Sequence, residues 1–349
     1  KIKNLIRKSI IPTTVVLVLA VILLLFSSIR MTVKTFLGLS ALPDQKHIAI
    51  LPCTNVGKDP DNQAFCDGLV ETLTSKLTQL EEFQGTLWIV PFSEIRNLKE
   101  ATVAEAQKQF AVNLAVTSSF QRVSDHIRLT LNLVDAKNLR QINSAVIDDQ
   151  LKEASVMQDS VLLELAQLLE IECEPERNKI LNAGQTKNPR AFDFYLQGRG
   201  YLQNYQQMEN IDKAISLFEK AISKDPNYAL AYAALGVGYW RKYRLIKDTH
   251  WFEVAMQNCN HALQLENQLP EVLRTLGLMQ TSTGQYDLAL QSFQQVVTID
   301  SLNDNAYRGM AMAYKYINMP DKAEMNYLKA IQIQPQYWGN HNTLGVFYY

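Results

Sequence analysis

Five histidines, His47, His126, His250, His261 and His341, and four cysteines, Cys53, Cys66, Cys173 and Cys259, are where metal or nucleophile chemistry would begin in this 349-residue chain. They fall on separate stretches without ligand spacing. The sequence contains no C-x-x-C pair and no H-E-x-x-H, so zinc and thioredoxin-type redox sites are not expected. It also lacks G-x-x-x-x-G-K-[ST], G-x-G-x-x-G and G-x-S-x-G, the loops that cradle phosphates or raise a serine nucleophile. Glu81-Glu82 and Asp148-Asp149 read as solvated helix-end and strand-end charges rather than an acid/base pair. No catalytic, cofactor-binding or metal residue is assigned, and no cofactor is expected in this segment. Binding chemistry remains. Arg274 and Arg308 hold one position in successive repeats, and two guanidinium forks side by side can grip a carboxylate bidentately.

The elements that position these residues follow from composition and pattern. With 47% hydrophobic and 20% charged residues, the chain can bury the cores of two or three domains. Lys+Arg 34 against Asp+Glu 35 leaves no global polycation, so no nucleic-acid partner is expected for this segment. Four cysteines are too few for a disulfide scaffold. The chain starts at Lys1, has its first methionine at Met31 and stops inside a repeat, which reads as part of a longer protein.

Ile10 to Ile29 is an uncharged apolar run, long enough to cross the roughly 30 Å hydrocarbon core as a helix. It exceeds the apolar region of a signal peptide and no small-x-small cleavage site follows closely. Lys1, Lys3, Arg7 and Lys8 precede it, whereas only Arg30 and Lys34 follow closely. The positive-inside bias predicts a single-pass anchor in a bacterial inner membrane. Residues 1–9 are then cytoplasmic, 10–29 the transmembrane helix and 30–45 a linker, with everything after about residue 35 periplasmic.

Residues 46–172 read as an α/β domain with a mixed sheet. His47–Pro52 is a strand that ends at proline, and Phe65, Leu69, Leu73, Leu77 and Leu80 mark an amphipathic helix. Thr86–Pro91 is a second buried strand, and Thr102-x-x-Glu105 is a capping box opening a helix through Ala111. Asn113–Arg122 and Ile127–Val134 form an antiparallel hairpin, since Ile127, Leu129, Leu131 and Leu133 alternate with polar residues. Arg140–Ile147 adds a strand, and Met157 to Leu169 a closing helix. The stretch HIAILPCTNVGKDPDNQAFCDGLVETLTSKL, with Ile48–Pro52 and Phe65, Asp67, Gly68 and Leu69, resembles the start of the TolB-amino-terminal-like domain of bacterial envelope and signalling proteins. Asn113 to Ile142 resembles that family's strand–hairpin–strand block. Cys53 departs from the phenylalanine usual there. It is either a packed free thiol or, in an oxidising periplasm, a partner for Cys66.

After a linker, 173–190, the chain repeats itself. Leu276-Gly277, Ala289 and Phe293 are echoed by Met310-Ala311, Ala323 and Tyr327 at a period of 34 residues. Earlier units carry Gly198, Ala214 and Phe218, then Gly236, Ala255 and Ala262, and Leu344-Gly345 opens another. The pattern is identified as the tetratricopeptide repeat, an all-α solenoid over 191–349 with units at 191–228, 229–269, 270–303 and 304–337 and a partial one at 338–349. Extra residues, Asn204–Glu209 and Arg241–Trp251, lengthen the first two units. The basic-aromatic stretch Trp240–Lys247 reads as a lengthened helix with a solvated face. The resemblance implies that first helices line a groove for a protein or peptide ligand, and Arg274 with Arg308 predicts an acidic segment or a free C-terminus as that ligand in this chain. In that frame the groove candidates are Phe192, Tyr195, Arg199, Trp240, Arg274, Asn305, Arg308, Lys315 and Asn342, with Glu271 the opposing charge.

The order of span, TolB-like domain and repeats is similar to the extracytoplasmic half of bacterial receptor serine/threonine kinases, which implies a kinase domain upstream of Lys1. A winged-helix regulator, an adenylate cyclase and a non-signalling envelope scaffold are the alternatives. The two soluble parts each carry their own apolar pattern and are expected to survive cleavage near Gly184 as separate domains.

Overall fold

The computed structural model describes residues 42–81, 86–124, 126–150, 154–171, 184–335 and 337–349. The expected span at 10–29 lies outside them, and among the described residues no helix is long and apolar enough to cross a membrane. Gln45–Tyr349 form one compact unit.

Six strands make one mixed sheet: β1 (Lys46–Ile50), β2 (Thr54–Asn55), β3 (Leu87–Ile89), β4 (Leu114–Val123), β5 (His126–Asp135) and β6 (Arg140–Gln150). Their order is β3-β1-β4-β5-β6, with β2 also paired to β4. β1 runs parallel to β3 and β4, while β4, β5 and β6 are antiparallel neighbours. The alternation read in β5 is real burial: Ile127, Leu129, Leu131 and Leu133 are enclosed. β2 and the short helix α2 (Phe92–Arg96) escape the sequence pattern, because two- and five-residue elements carry too little periodicity to read.

Helix α1 (Pro60–Glu81) starts a turn before its apolar stripe, since Asp59 accepts hydrogen bonds from the amides of Asp61 and Asn62 at 2.9 and 3.0 Å. Its apolar face, Phe65, Leu69, Leu73 and Leu77, is buried, and Phe65 stacks on Phe120 of β4 with centroids 4.9 Å apart. Helix α3 (Val103–Phe110) has Thr102 capping the Glu105 amide. Helix α4 (Ala154–Leu168) packs on β6.

The array follows as helix pairs: α5 (Pro189–Leu202) with α6 (Met208–Lys224), α7 (Ala229–Ile246) with α8 (Thr249–Leu265), α9 (Pro270–Ser282) with α10 (Tyr286–Ile299), and α11 (Asp304–Tyr316) with α12 (Pro320–Ile333). A last helix, α13 (Trp338–Tyr348), packs on α12. Small residues of first helices receive large ones of second helices. A Cβ added to Gly198 would lie 2.5 Å from the Phe218 ring, one on Gly277 2.7 Å from Phe293, and one on Gly236 2.5 Å from the Cys259 sulfur.

The stretch 184–190, read as linker, is docked. Gly184 accepts a hydrogen bond from the Leu230 amide at 3.2 Å, Thr186 bonds Asp225, and Asn188 caps α5 ahead of Pro189 at its first turn. Gly184 takes a φ of +70°, the left-handed conformation that favours glycine, and so turns the chain onto Leu230 and Leu269.

Candidate functional site: the repeat groove and the helix that enters it

The face built by the first helices is already partly filled by the chain itself. Helix α1 has a second stripe, Asp61, Ala64, Gly68, Glu71 and Ser75, at helical spacing and turned away from its apolar face. That stripe meets the array. A Cβ on Gly68 would stand 1.9 Å from the Leu196 carbonyl oxygen, and one on Gly200 1.8 Å from the Ala64 carbonyl oxygen. The two helices therefore cross backbone to backbone, which only glycine at these two positions permits.

Polar groups close the junction on every side. Arg199 Nε donates to Glu71 at 2.7 Å, and its Nη1 donates to Glu271 at 3.1 Å and to the Tyr195 hydroxyl at 2.9 Å. Ser75 donates to the other Glu271 oxygen at 2.8 Å. Arg122 of β4 forms a bidentate pair with Asp193 at 3.0 and 2.9 Å. Arg96 reaches the Gln203 carbonyl and the Asn204 side chain, both at 2.7 Å, and Tyr201 donates to Asp61 at 2.7 Å. At the far end, the Trp338 indole donates to Glu94 of α2 at 2.7 Å. This junction, which the sequence reading of two parts with independent apolar patterns does not include, joins them by side chains from both. Asn204, in the lengthened turn of the first unit, binds the α/β domain.

The charges respond to enclosure. Burial pushes the Glu71 carboxyl above its ordinary range, and Arg199 offsets this only in part. Burial acts on Glu271 too, but Arg199, the Ser75 hydroxyl and Arg274 together hold it below the usual value. Arg274 has its guanidinium pKa lowered by burial and by the neighbouring charges of Arg308 and Arg199, against the pull of Glu271.

The nine groove candidates divide accordingly. Phe192 and Tyr195 are buried, Tyr195 lying 5.2 Å from the Tyr228 ring and 6.2 Å from Phe218 with its hydroxyl on Arg199, so neither is open to a ligand. Arg199 is held by the chain's own carboxylates. Trp240 is buried beneath Arg241 and Arg244, each 5.5 Å from its ring, and its indole nitrogen has no hydrogen-bond partner among the described residues. The basic stretch around it is only partly solvated, because Arg241 covers Tyr205 at 4.0 Å and Lys242 pairs with Asp212 at 2.7 Å. Asn305 accepts from Arg308, whose Nε stands 3.8 Å from Asp304 and makes no hydrogen bond among the described residues. Lys315 is exposed over the Phe347 ring at 6.0 Å, and Asn342 is exposed. Arg274 makes no hydrogen bond and no close ion pair among the described residues. Sequence reading missed Gly68, Glu71, Ser75, Gly200, Arg96 and Arg122. The available signal was Gly68 itself, since a glycine inside a helix costs about 1 kcal/mol relative to alanine and persists for a reason.

Cys53, Cys66 and Cys259 are buried free thiols. Cys53 and Cys66 share a hydrogen bond, and burial raises Cys259 to about 12. Among the described residues no group of His, Cys, Asp and Glu could hold a metal ion.

A family model described as tetratricopeptide repeat matches residues 201–228 and 305–337. The array is built of tetratricopeptide repeats. One curated relative, named "Putative adenylate cyclase 3", of Rhizobium meliloti (strain 1021), is 21% identical over 197 residues. The match takes in 56% of this chain and 33% of that protein, so the chain spans about a third of its relative. Among solved structures, TTC0263, a thermophilic TPR protein of Thermus thermophilus, is 18% identical, with a TM-score of 0.42 over 55% of this chain and 92% of its own. PilF of Pseudomonas aeruginosa is 19% identical, with a TM-score of 0.40 over 45% and 67%. YrrB, described as a TPR protein with an unusual peptide-binding site, is 22% identical, with a TM-score of 0.35 over 54% and 87%.

Proposed function

We propose that this chain is the protein-interaction and sensing region of a bacterial membrane signalling protein, anchored in the inner membrane by residues 10–29, with its sheet domain and repeats in the periplasm. The sheet domain is read as TolB-amino-terminal-like on the motif at Ile48–Pro52 and Phe65–Leu69. The observation that carries the binding role is Arg274. It is a half-buried cation on the first-helix face, next in the repeat to Arg308, with no anion in hydrogen-bond contact among the described residues. A carboxylate from an acidic segment or a free C-terminus would meet both guanidinium groups. Because α1 holds Arg199, the partner's place is at the third and fourth repeats, beyond Glu271.

The signalling domain that this region serves is read in two ways. A receptor serine/threonine kinase rests on the order of domains. The name of the Rhizobium meliloti relative favours the second reading, an adenylate cyclase, and the two thirds of that relative outside the match leave room for such a domain. A peptide array screened with the full chain tests the binding role. Enrichment of Asp, Glu or free C-termini is expected, with Arg274→Ala or Arg308→Ala weakening hits by about 1.5–3 kcal/mol, the range for hydrogen bonds to charged groups. Hits indifferent to both variants would refute it. A phosphatase fused after residue 171 should be active if this region is periplasmic, and silence would overturn that placement.

A further inference from the structure

The first helices of the third and fourth units carry two parallel rows of side chains. Arg274 of α9 and Arg308 of α11 stand three residues before Gly277 and Ala311, the small residues of their units, and Leu278 and Met312 come directly after those. In each helix the arginine and the apolar residue are four apart, so they share a face at a separation of roughly 6 Å. All four are half-buried. Because α9 and α11 pack directly on each other, equivalent side chains on them are offset by about 8–10 Å, the spacing of packed helices. In the second unit the same two positions hold Ala233 and Val237, so the apolar row runs on while the cationic row ends at Arg274. The nearest carboxylates are already engaged or enclosed. Glu271 accepts from Arg199 and Ser75, and Asp304, beside Arg308, is only 4% exposed.

We infer, on the basis of the carboxylate site proposed for Arg274 and Arg308, that these rows take one kind of ligand: a polyproline II segment with acidic residues at i and i+3 and an apolar residue directly after each. Such a segment has three residues per turn and returns to the same face every 9.3 Å or so, about the step between α9 and α11. A strand returns after two residues, about 6.7 Å, which falls short of that step. A single carboxylate makes both guanidinium groups converge on one point. A second carboxylate one step along gives each arginine its own anion and keeps the two cations apart, which matters because Arg308 disfavours the charge on Arg274. The residue after each acid points a third of a turn away, toward Leu278 or Met312. With Ala233 in the cationic row of the second unit, two acidic residues are enough.

Isothermal titration calorimetry of the full chain with peptides capped at both ends, so that no terminal carboxylate is present, tests this. Pro-Glu-Val-Pro-Glu-Val-Pro has its glutamates three apart. Pro-Glu-Val-Glu-Val-Pro-Pro has the same composition with the glutamates two apart, and Pro-Glu-Val-Pro-Gln-Val-Pro keeps one glutamate. The first should bind about tenfold tighter than either of the others, the effect of one further hydrogen-bonded charge. These comparisons use the wild-type chain, so they do not depend on how a variant folds. On an Arg308→Ala chain the first peptide should lose its advantage over the third, and Met312→Ser should weaken the first peptide severalfold. If the second or third peptide binds as tightly as the first, and Arg274→Ala weakens all three, the spacing is overturned and the carboxylate site stands. A stapled helix with its glutamates seven apart that binds tighter than the first peptide would overturn the backbone form. If no acidic peptide binds, free C-termini included, the carboxylate site falls and this inference with it.

Discussion

The first repeat and the third use the same architecture to opposite ends. In the first, Arg199 is clamped by Glu71 from the sheet domain and by Glu271, with a glycine crossing beneath it and Asp193 locked to Arg122. In the third, Arg274 sits on the equivalent side of its helix with no carboxylate in hydrogen-bond contact among the described residues, and its charge is disfavoured by burial, then by Arg308 and Arg199, against the pull of Glu271. The difference teaches that a cation on a repeat face is not by itself a ligand site. What decides is whether the rest of the chain has already supplied the anion. Here it has done so at one end and left the other end open.

Removing Arg199 should have the largest effect on this contrast. Arg199→Ala removes the cation that bridges Glu71 and the partly exposed Glu271, leaving only the more distant Arg274, and should lower stability by about 2 kcal/mol in denaturant titration. An effect below about 1 kcal/mol, the level of an exposed ion pair, would mean that the pair is solvated. Gly68→Ala comes next. Helix propensity alone favours alanine by about 1 kcal/mol. Contact with the Leu196 carbonyl reverses the sign, because overpacking costs about 1–3 kcal/mol, so the variant should melt lower than wild type. A higher melting temperature would show that α1 does not cross α5 at this point. Arg274→Ala should leave stability within about 0.5 kcal/mol, or raise it slightly, while weakening ligand binding. A loss as large as that of Arg199→Ala would erase the contrast between the two repeats.

The smallest effect is a slope. Glu71 has its folded pKa raised by burial, so it binds more protons folded than unfolded, and its contribution is full below the unfolded value and lost as pH rises through the folded one. The stability of wild type relative to Glu71→Gln should therefore decline as pH rises from about 4.5, then level off. An advantage that grows with pH would mean that Arg199 outweighs burial.

Much of this architecture is legible in sequence, and the reasons are local. The alternation in β5, the capping box at Thr102 and the recurrence of glycine against phenylalanine all depend on residues a few positions apart or at a fixed period. The junction is not legible in this way. Arg96 meets Gln203 across 107 positions, Ser75 meets Glu271 across 196, and Glu94 meets Trp338 across 244. No periodicity links such pairs. Two apolar patterns thus read as two domains, although the polar stripe on α1 joins them. Phe192 and Tyr195 are misplaced by sequence for a related reason: they share a helix face with Arg199, and the carboxylates that close that face, Glu71 and Glu271, come from elements far away in the chain.

The central claim is that α1 resides in the repeat groove and binds the sheet domain to the array as one body. A protease site inserted between residues 172 and 183 of the full chain, cut under native conditions, tests it most directly by size-exclusion chromatography. The two fragments should co-elute and should separate on Arg199→Ala combined with Gly68→Leu. Two folded fragments that elute apart from the cut wild-type chain would contradict the account.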